Sequence, residues 1–307
     1  VQRLGATTPK SASEIAEFTT TMARAGFSAE QIENGLQGVT NASIATGNTM
    51  EQVGDVVGVA INQFGLAAKD SERIADILVT TANSSPQGVE DIGEALKFVG
   101  STAKTSGQTL ESTTKILARL AAAGIKGSSA GTQYAEALRR VDLASAATTT
   151  KMGKLFEGNK KATQAFERLQ LSATNADGTM KQFPEVLDAI QESTAGLSRG
   201  DKAVLINSLF GVRGGNAIKA LLGLTEEKVK EIDDNFDNLA GSASRAGEQM
   251  KQGLSGSIDA LNSALEGAFL QLGSALEPIV TPLVNGLTAV LSGFAQLPAP
   301  IQTVIAT

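Results

Sequence analysis

The chain has 307 residues, with 26 basic and 32 acidic side chains, a formal net charge of −6 and 42% hydrophobic content, enough to bury a core. Cysteine and histidine are both absent, which excludes disulfide staples, thiol nucleophiles, and the usual general base and metal ligand. No Lys/Arg run is long enough to neutralise a row of phosphates, so specific nucleic-acid binding is not expected.

Aromatic residues make up only 4% of the chain and tryptophan is missing, so the core is expected to be Ala, Leu, Ile and Val on closely packed helices. Val1-Gln2-Arg3-Leu4 shows no initiating Met and no apolar signal core. With the apolar ending Val304-Ile305-Ala306-Thr307, this predicts a fragment of a longer protein.

From residue 11 to 145, small polar caps precede apolar 3.6-residue periods that close on glycine, which predicts a string of short helices. Ser11 with Glu14, Ser28 with Gln31 and Thr49 with Gln52 have capping-box spacing. Gly26, Gly47, Gly65, Gly107 and Gly124 stand where helices should stop. Val89, Ile92, Ala95, Leu96 and Val99 mark one core-facing stripe, and Leu110, Ile116, Leu117, Leu120 and Ala121 another.

Leu169-Gln170-Leu171 and Met180-Lys181-Gln182-Phe183 flank an Asp177-Gly178 turn, so a small β-hairpin is expected near 169–183. Helices resume at Pro184 and continue through 201–210 and 215–222. The run Gly211-Val212-Arg213-Gly214-Gly215-Asn216 between them reads as a tight turn, with an anion-binding nest under Arg213 as the alternative.

From Thr225 a longer helix is expected: Val229, Ile232, Phe236, Leu239 and Ala243 step by 3 and 4. Met250, Leu254, Ile258, Leu261, Leu265, Phe269, Leu272 and Leu276 then follow an 11-residue repeat, the spacing of a straight or weakly right-handed bundle. These eight are the candidate oligomer interface. Beyond Glu277 no charge remains, and Pro278, Pro282, Pro298 and Pro300 divide the segment. Its uninterrupted piece, Leu283 to Leu297, is shorter than the roughly 20 residues of a spanning helix. Buried oligomer contact is the first reading and membrane insertion the second.

The chain is thus expected to be mainly α: a compact multi-helix domain with a small β-hairpin over 1–223, a long-helix stem over 224–277 that forms an oligomeric bundle, and an uncharged hydrophobic segment over 278–307. The acidic groups Glu90, Asp91 and Glu94, and Asp233, Asp234 and Asp237, read as solvated helix faces because calcium-loop spacing is missing. Ser101 with Lys104 lacks any nucleophile context. The residues offer no catalytic, cofactor-binding or metal-ligating set, and no enzyme is expected.

Ala25-Gly26-Phe27-Ser28-Ala29-Glu30-Gln31-Ile32, Asn62-Gln63-Phe64-Gly65-Leu66, Gly93-Glu94-Ala95-Leu96-Lys97-Phe98-Val99-Gly100 and Ala123-Gly124-Ile125-Lys126-Gly127-Ser128 occur in an order and spacing that resembles the core of phage tail tape-measure proteins. Leu209-Phe210-Gly211-Val212-Arg213 is similar to a short stretch of the same family. The resemblance implies a structural protein of the tail-tube lumen or tip, made in the host cytoplasm, that takes part in tail assembly and length determination and is released during DNA delivery. It also implies partners: copies of itself (a trimer or hexamer), tail tube and tip or baseplate proteins, and assembly chaperones. The host membrane joins them if the alternative holds, a membrane-active protein working through 278–307.

Overall fold

The computed structural model describes residues 10–24, 26–143, 175, 179–251 and 265. The described residues form eleven α-helices: α1 (Ala12–Arg24), α2 (Ala29–Thr46), α3 (Met50–Phe64), α4 (Ser71–Asn83), α5 (Val89–Thr105), α6 (Leu110–Ala122), α7 (Gly127–Leu143), α8 (Phe183–Thr194), α9 (Arg199–Leu221), α10 (Glu226–Asp237) and α11 (Ser242–Lys251). The chain divides into two compact units, one of Ala16–Gly253 and one of Val1–Ile15 with Leu254–Thr307. In the second, Ser11 Oγ accepts the Glu14 N–H at 3.1 Å, and Lys10 pairs with Glu14 at 3.0 Å.

The helices of the larger unit begin and end where local chemistry dictates. Ser28 Oγ accepts the Gln31 N–H at 3.2 Å while Gln31 Oε1 accepts the Ser28 N–H at 2.7 Å. Thr49 and Gln52 repeat the reciprocal arrangement at 3.2 and 2.9 Å. Each pair satisfies two backbone donors that the first turn leaves without intrahelical partners. Gly26, Gly47, Gly65, Gly107 and Gly124 all take positive φ at helix ends, as their spacing predicts.

Packing follows the composition. α3 lies on α5, α5 on α7, and α7 on α9, while α2 packs on α4 and α4 on α6. With few aromatics to keep helices apart, glycine sets the approach. A Cβ added at Gly131 on α7 would strike the Ala95 carbonyl of α5, and one at Gly214 on α9 would lie 2.9 Å from the Ala137 nitrogen of α7. At Gly38 on α2 it would lie 2.8 Å from the Glu72 Cα of α4. Gly93 and Gly100 on α5 receive Val56 and Gln63 of α3 in the same way. The core between these backbones holds Val53, Ile74, Leu78, Ile92, Leu96 and Leu117, all buried. Glycine costs helix propensity, about 1 kcal/mol relative to alanine. Close backbone contact along whole crossings, with its many dispersion contacts, offsets that cost.

Three expectations change. The hairpin near 169–183 is not formed by the described residues, and 169–174 and 176–178 lie outside them. Asn175 N–H does bond Thr179 O at 2.7 Å, but Phe183 already opens α8. Met180 makes an isolated bridge, and 181–183 are held by side-chain hydrogen bonds and not by a strand ladder. The Gln108 side chain accepts the Phe183 N–H at 2.6 Å and donates to Lys181 O at 3.1 Å, while Gln182 donates to Gly107 O at 2.9 Å. Pro184 next in line has no N–H for a ladder.

The single long helix expected from residue 225 is two helices. α10 stops before Asn238 (φ −108°), and Gly241 at φ 72° turns the chain into α11. Both pack on this chain's own body, α10 on α4 and α6 and α11 on α2 and α4. In the third change, the turn expected over Gly211–Asn216 narrows to one residue. Gly211 (φ 66°, ψ −177°) breaks an otherwise helical α9, and Val212 and Arg213 already belong to its second half.

Candidate functional site

Of the eight candidate interface residues, Met250 and Leu265 are described, each about half exposed at 52% and 50%. Leu254, Ile258, Leu261, Phe269, Leu272 and Leu276 lie outside the described residues, as does 278–307. Among the described residues no helix is long and apolar enough to cross a membrane.

The acidic groups that stand out in the sequence are engaged in structural contacts. Asp91 accepts the Gly88 N–H at the start of α5 at 3.3 Å and faces Lys126 at 3.5 Å, and Glu94 pairs with Lys97 at 2.7 Å. Asp234 pairs with Lys230 at 2.6 Å. No group of three or more acidic residues among the described ones could hold a metal ion.

Two surface features remain. The first is an open groove of about 380 Å³ where α5, α7 and α9 meet. Phe98, half exposed, forms its apolar end, with Ser128, Ser129, Thr132 and Gln133 along α7 and Arg213 and Asn216 from α9. Val212, beside Arg213, is 73% exposed. The Gly211 break rotates the second half of α9 and lets Gly214 reach the α7 backbone, which sets Arg213 on the groove wall. Periodicity indicates each helix; it does not indicate that these three meet.

The second feature joins α10 and α11 to the body. Arg119 on α6, 5% exposed, gives both Asp233 oxygens hydrogen bonds of 2.6 and 2.8 Å. Lys115 stands 3.5 Å from Asp233 and 3.9 Å from Asp237, with its ammonium 5.6 Å over the Phe236 ring. Beneath them Ile232 and Phe236 pack on Ala118, flanked by Ala122 and Leu239. Nearby on α8, burial raises the Asp188 carboxyl above its usual range, the Arg119 charge opposes that, and the charges of Asp233, Glu192 and Glu185 add to it.

On α4, Asp76 accepts the N–H groups of Gly241 and Ala243 at 2.7 and 2.9 Å. Helix α11 therefore takes its N-terminal cap from a residue 165 positions earlier than Gly241. Sequence reasoning missed Arg119 and Asp76 because their partners are remote and no local spacing marks such pairs. Their one signal is a charge on an otherwise apolar helix face.

A family profile described as phage-related minor tail protein matches residues 1–211. The chain belongs to this family. It is 28% identical over 294 residues to the tape measure protein of Pneumococcus phage Dp-1, covering 96% of this chain and 24% of that protein. It is also 24% identical over 268 residues to the probable tape measure protein of Escherichia phage P2, covering 86% and 31%. The chain thus spans about a quarter to a third of the length of these curated relatives. No solved structure matches it.

Membership places the chain among phage tail tape-measure proteins and gives it a structural role as a tail component. For a minor tail protein, the groove and the polar seam around Arg119 and Asp76 are the features of interest.

Proposed function

We propose that this chain is the compact head of a tape-measure protein, which anchors the protein at one end of the tail tube or in the tip during tail assembly. Residues beyond the head run on as the part whose length is measured, and the protein leaves during DNA delivery. A continuous helix advances about 1.5 Å per residue and makes a ruler; a folded unit does not.

The observation that carries this reading is the match to only a quarter to a third of two tape measure proteins by a chain whose Ala16–Gly253 is one compact unit, helical over most of its described residues. The partners that fit are copies of the same chain, three or six of them, meeting through the stripe from Met250 to Leu276. Tail tube, tip or baseplate proteins and assembly chaperones would contact the head.

In-frame deletion of 16–253 in the encoding phage tests the division of labour. Anchoring predicts tails that are absent or of scattered length. Intact tails shortened uniformly in proportion to the deleted residues would assign ruler work to the head and overturn the reading.

A further inference from the structure

Helices α10 and α11 are held differently from the rest of the larger unit. Among their described residues only Ile232, Phe236, Ala243 and Gly247 are buried. α5 alone buries Val89, Ile92, Ala95, Leu96, Val99 and Ala103. Polar contacts between residues far apart in the chain take the place of apolar ones. Arg119 holds Asp233, Asp76 holds the N–H groups of Gly241 and Ala243, and Asn235 Nδ2 donates to Ser84 Oγ at 3.1 Å. Ser242 Oγ donates to Asp76 O at 2.9 Å and lies 2.9 Å from Thr80 Oγ1.

On α4 and α6, much of the surface left behind if these two helices departed would be polar. Arg119, Lys115, Asp76, Thr80 and Ser84 would exchange protein partners for water, and Ala118 and Ala122 are the apolar footprint under Ile232 and Phe236. Polar contacts of this kind resemble the docked interfaces between domains, for which relative motion is the default. On α2, a Cβ added at Gly247 of α11 would lie 3.3 Å from the Asn41 carbonyl, so the two backbones approach closely there.

We propose that Glu226–Lys251 is a strap that leaves and rejoins the body as one unit while α1–α9 stay folded. Closed, it hides the stripe of Ile232, Phe236 and Leu239 against α6; open, it presents that stripe. The Arg119–Asp233 pair is the latch.

Hydrogen exchange of the full chain, followed by mass spectrometry, tests this. Amides of 226–251 are expected to exchange together and about 100-fold faster than those of α5 and α7, as a subglobal opening does. Asp233→Asn, at a half-open position on the strap, is expected to speed strap exchange about 10-fold by removing a charge-assisted pair, with α5 and α7 unchanged. Salt at about 1 M acts in the same direction on the unmodified chain, because screening weakens the pair. Strap amides that exchange at the rate of α5 and α7, or an Asp233→Asn effect spread equally over all helices, would overturn the proposal.

Discussion

The ring of Tyr134 on α7 meets that of Phe183, the first residue of α8, edge to face, with centroids 4.9 Å apart and planes inclined at 62°. Both residues are fully buried, and the Tyr134 hydroxyl has no hydrogen-bond partner. Burial raises this phenol well above its usual value of 10. Because the folded value lies above the unfolded one, the contribution to stability is whole below about pH 10 and is lost as the pH rises through the folded value. Tyr134 is the chain's one tyrosine, and there is no tryptophan, so its absorbance reports on this site alone. Phenolate absorbance is expected to appear only together with loss of helical circular dichroism. A phenolate forming near pH 10 in a chain that stays helical would contradict the packing.

Tyr134→Phe keeps the ring contact and removes an unpaired hydroxyl. A buried polar group left without a partner costs about 1–3 kcal/mol. The variant is therefore expected to gain about 1 kcal/mol in urea unfolding, whereas Tyr134→Ala loses about 3–5 kcal/mol through the cavity it leaves.

Gly131 and Gly196 should respond oppositely to alanine. At Gly131 the new methyl meets the Ala95 carbonyl, a backbone atom that cannot rotate away, so α5 and α7 must separate. Overpacking costs about 1–3 kcal/mol, more than the gain in helix propensity of about 1 kcal/mol. Gly196 has open space around its Cβ position, and Gly196→Ala is expected to stabilise by about 0.5 kcal/mol through the unfolded chain. Paired thermal melts check both signs.

What the sequence revealed was the local part of the fold. Ser28 and Gln31, Thr49 and Gln52, and the five glycines at helix ends are decided within a few residues, so their spacing was sufficient. The glycines inside helices, such as Gly38, Gly131 and Gly214, were not legible, because their role depends on which backbone crosses them. The long helix from 225 was misjudged for a related reason. Its apolar stripe is real, but Asp76, remote in the chain, takes the N–H groups that would have continued the helix through Gly241. The expected hairpin is not formed by the described residues: Gln108 takes Lys181 O and the Phe183 N–H, and Gln182 bonds Gly107 O, pairings that no local spacing marks. The groove lined by Phe98 and Arg213 needs three helices placed together, which periodicity does not supply.

Asp76→Ala removes a carboxylate that two backbone donors share. Loss of an N-terminal cap costs about 0.5–2 kcal/mol, and the buried N–H of Ala243 is left without that acceptor. A loss of about 2 kcal/mol is expected in urea unfolding, with Asp76→Asn intermediate because its amide oxygen can still accept.

Asp188 gives a pH signature of the opposite kind to a paired carboxylate. Its folded value is raised, chiefly by desolvation from the surrounding protein, although the residue itself is exposed to water. Its contribution is therefore whole below the unfolded value and is lost as the pH rises through the folded one. Asp188→Asn is expected to melt slightly higher than the parent chain at pH 7, by the few tenths of a kcal/mol appropriate to a solvent-screened site, and at the same temperature near pH 3. An Asn variant that is less stable at pH 7 would show that Arg119 outweighs desolvation.

The central claim is that Ala16–Gly253 forms a folded head within a phage tail. Side-chain-resolution imaging of assembled particles of the encoding phage tests it most directly. The account predicts density for this helical unit at one end of the tail tube or in the tip, in symmetry-related copies, with Gly131 against Ala95 and Tyr134 against Phe183. The same residues drawn out as continuous helix along the tube lumen, or absent from the assembled tail, would contradict it.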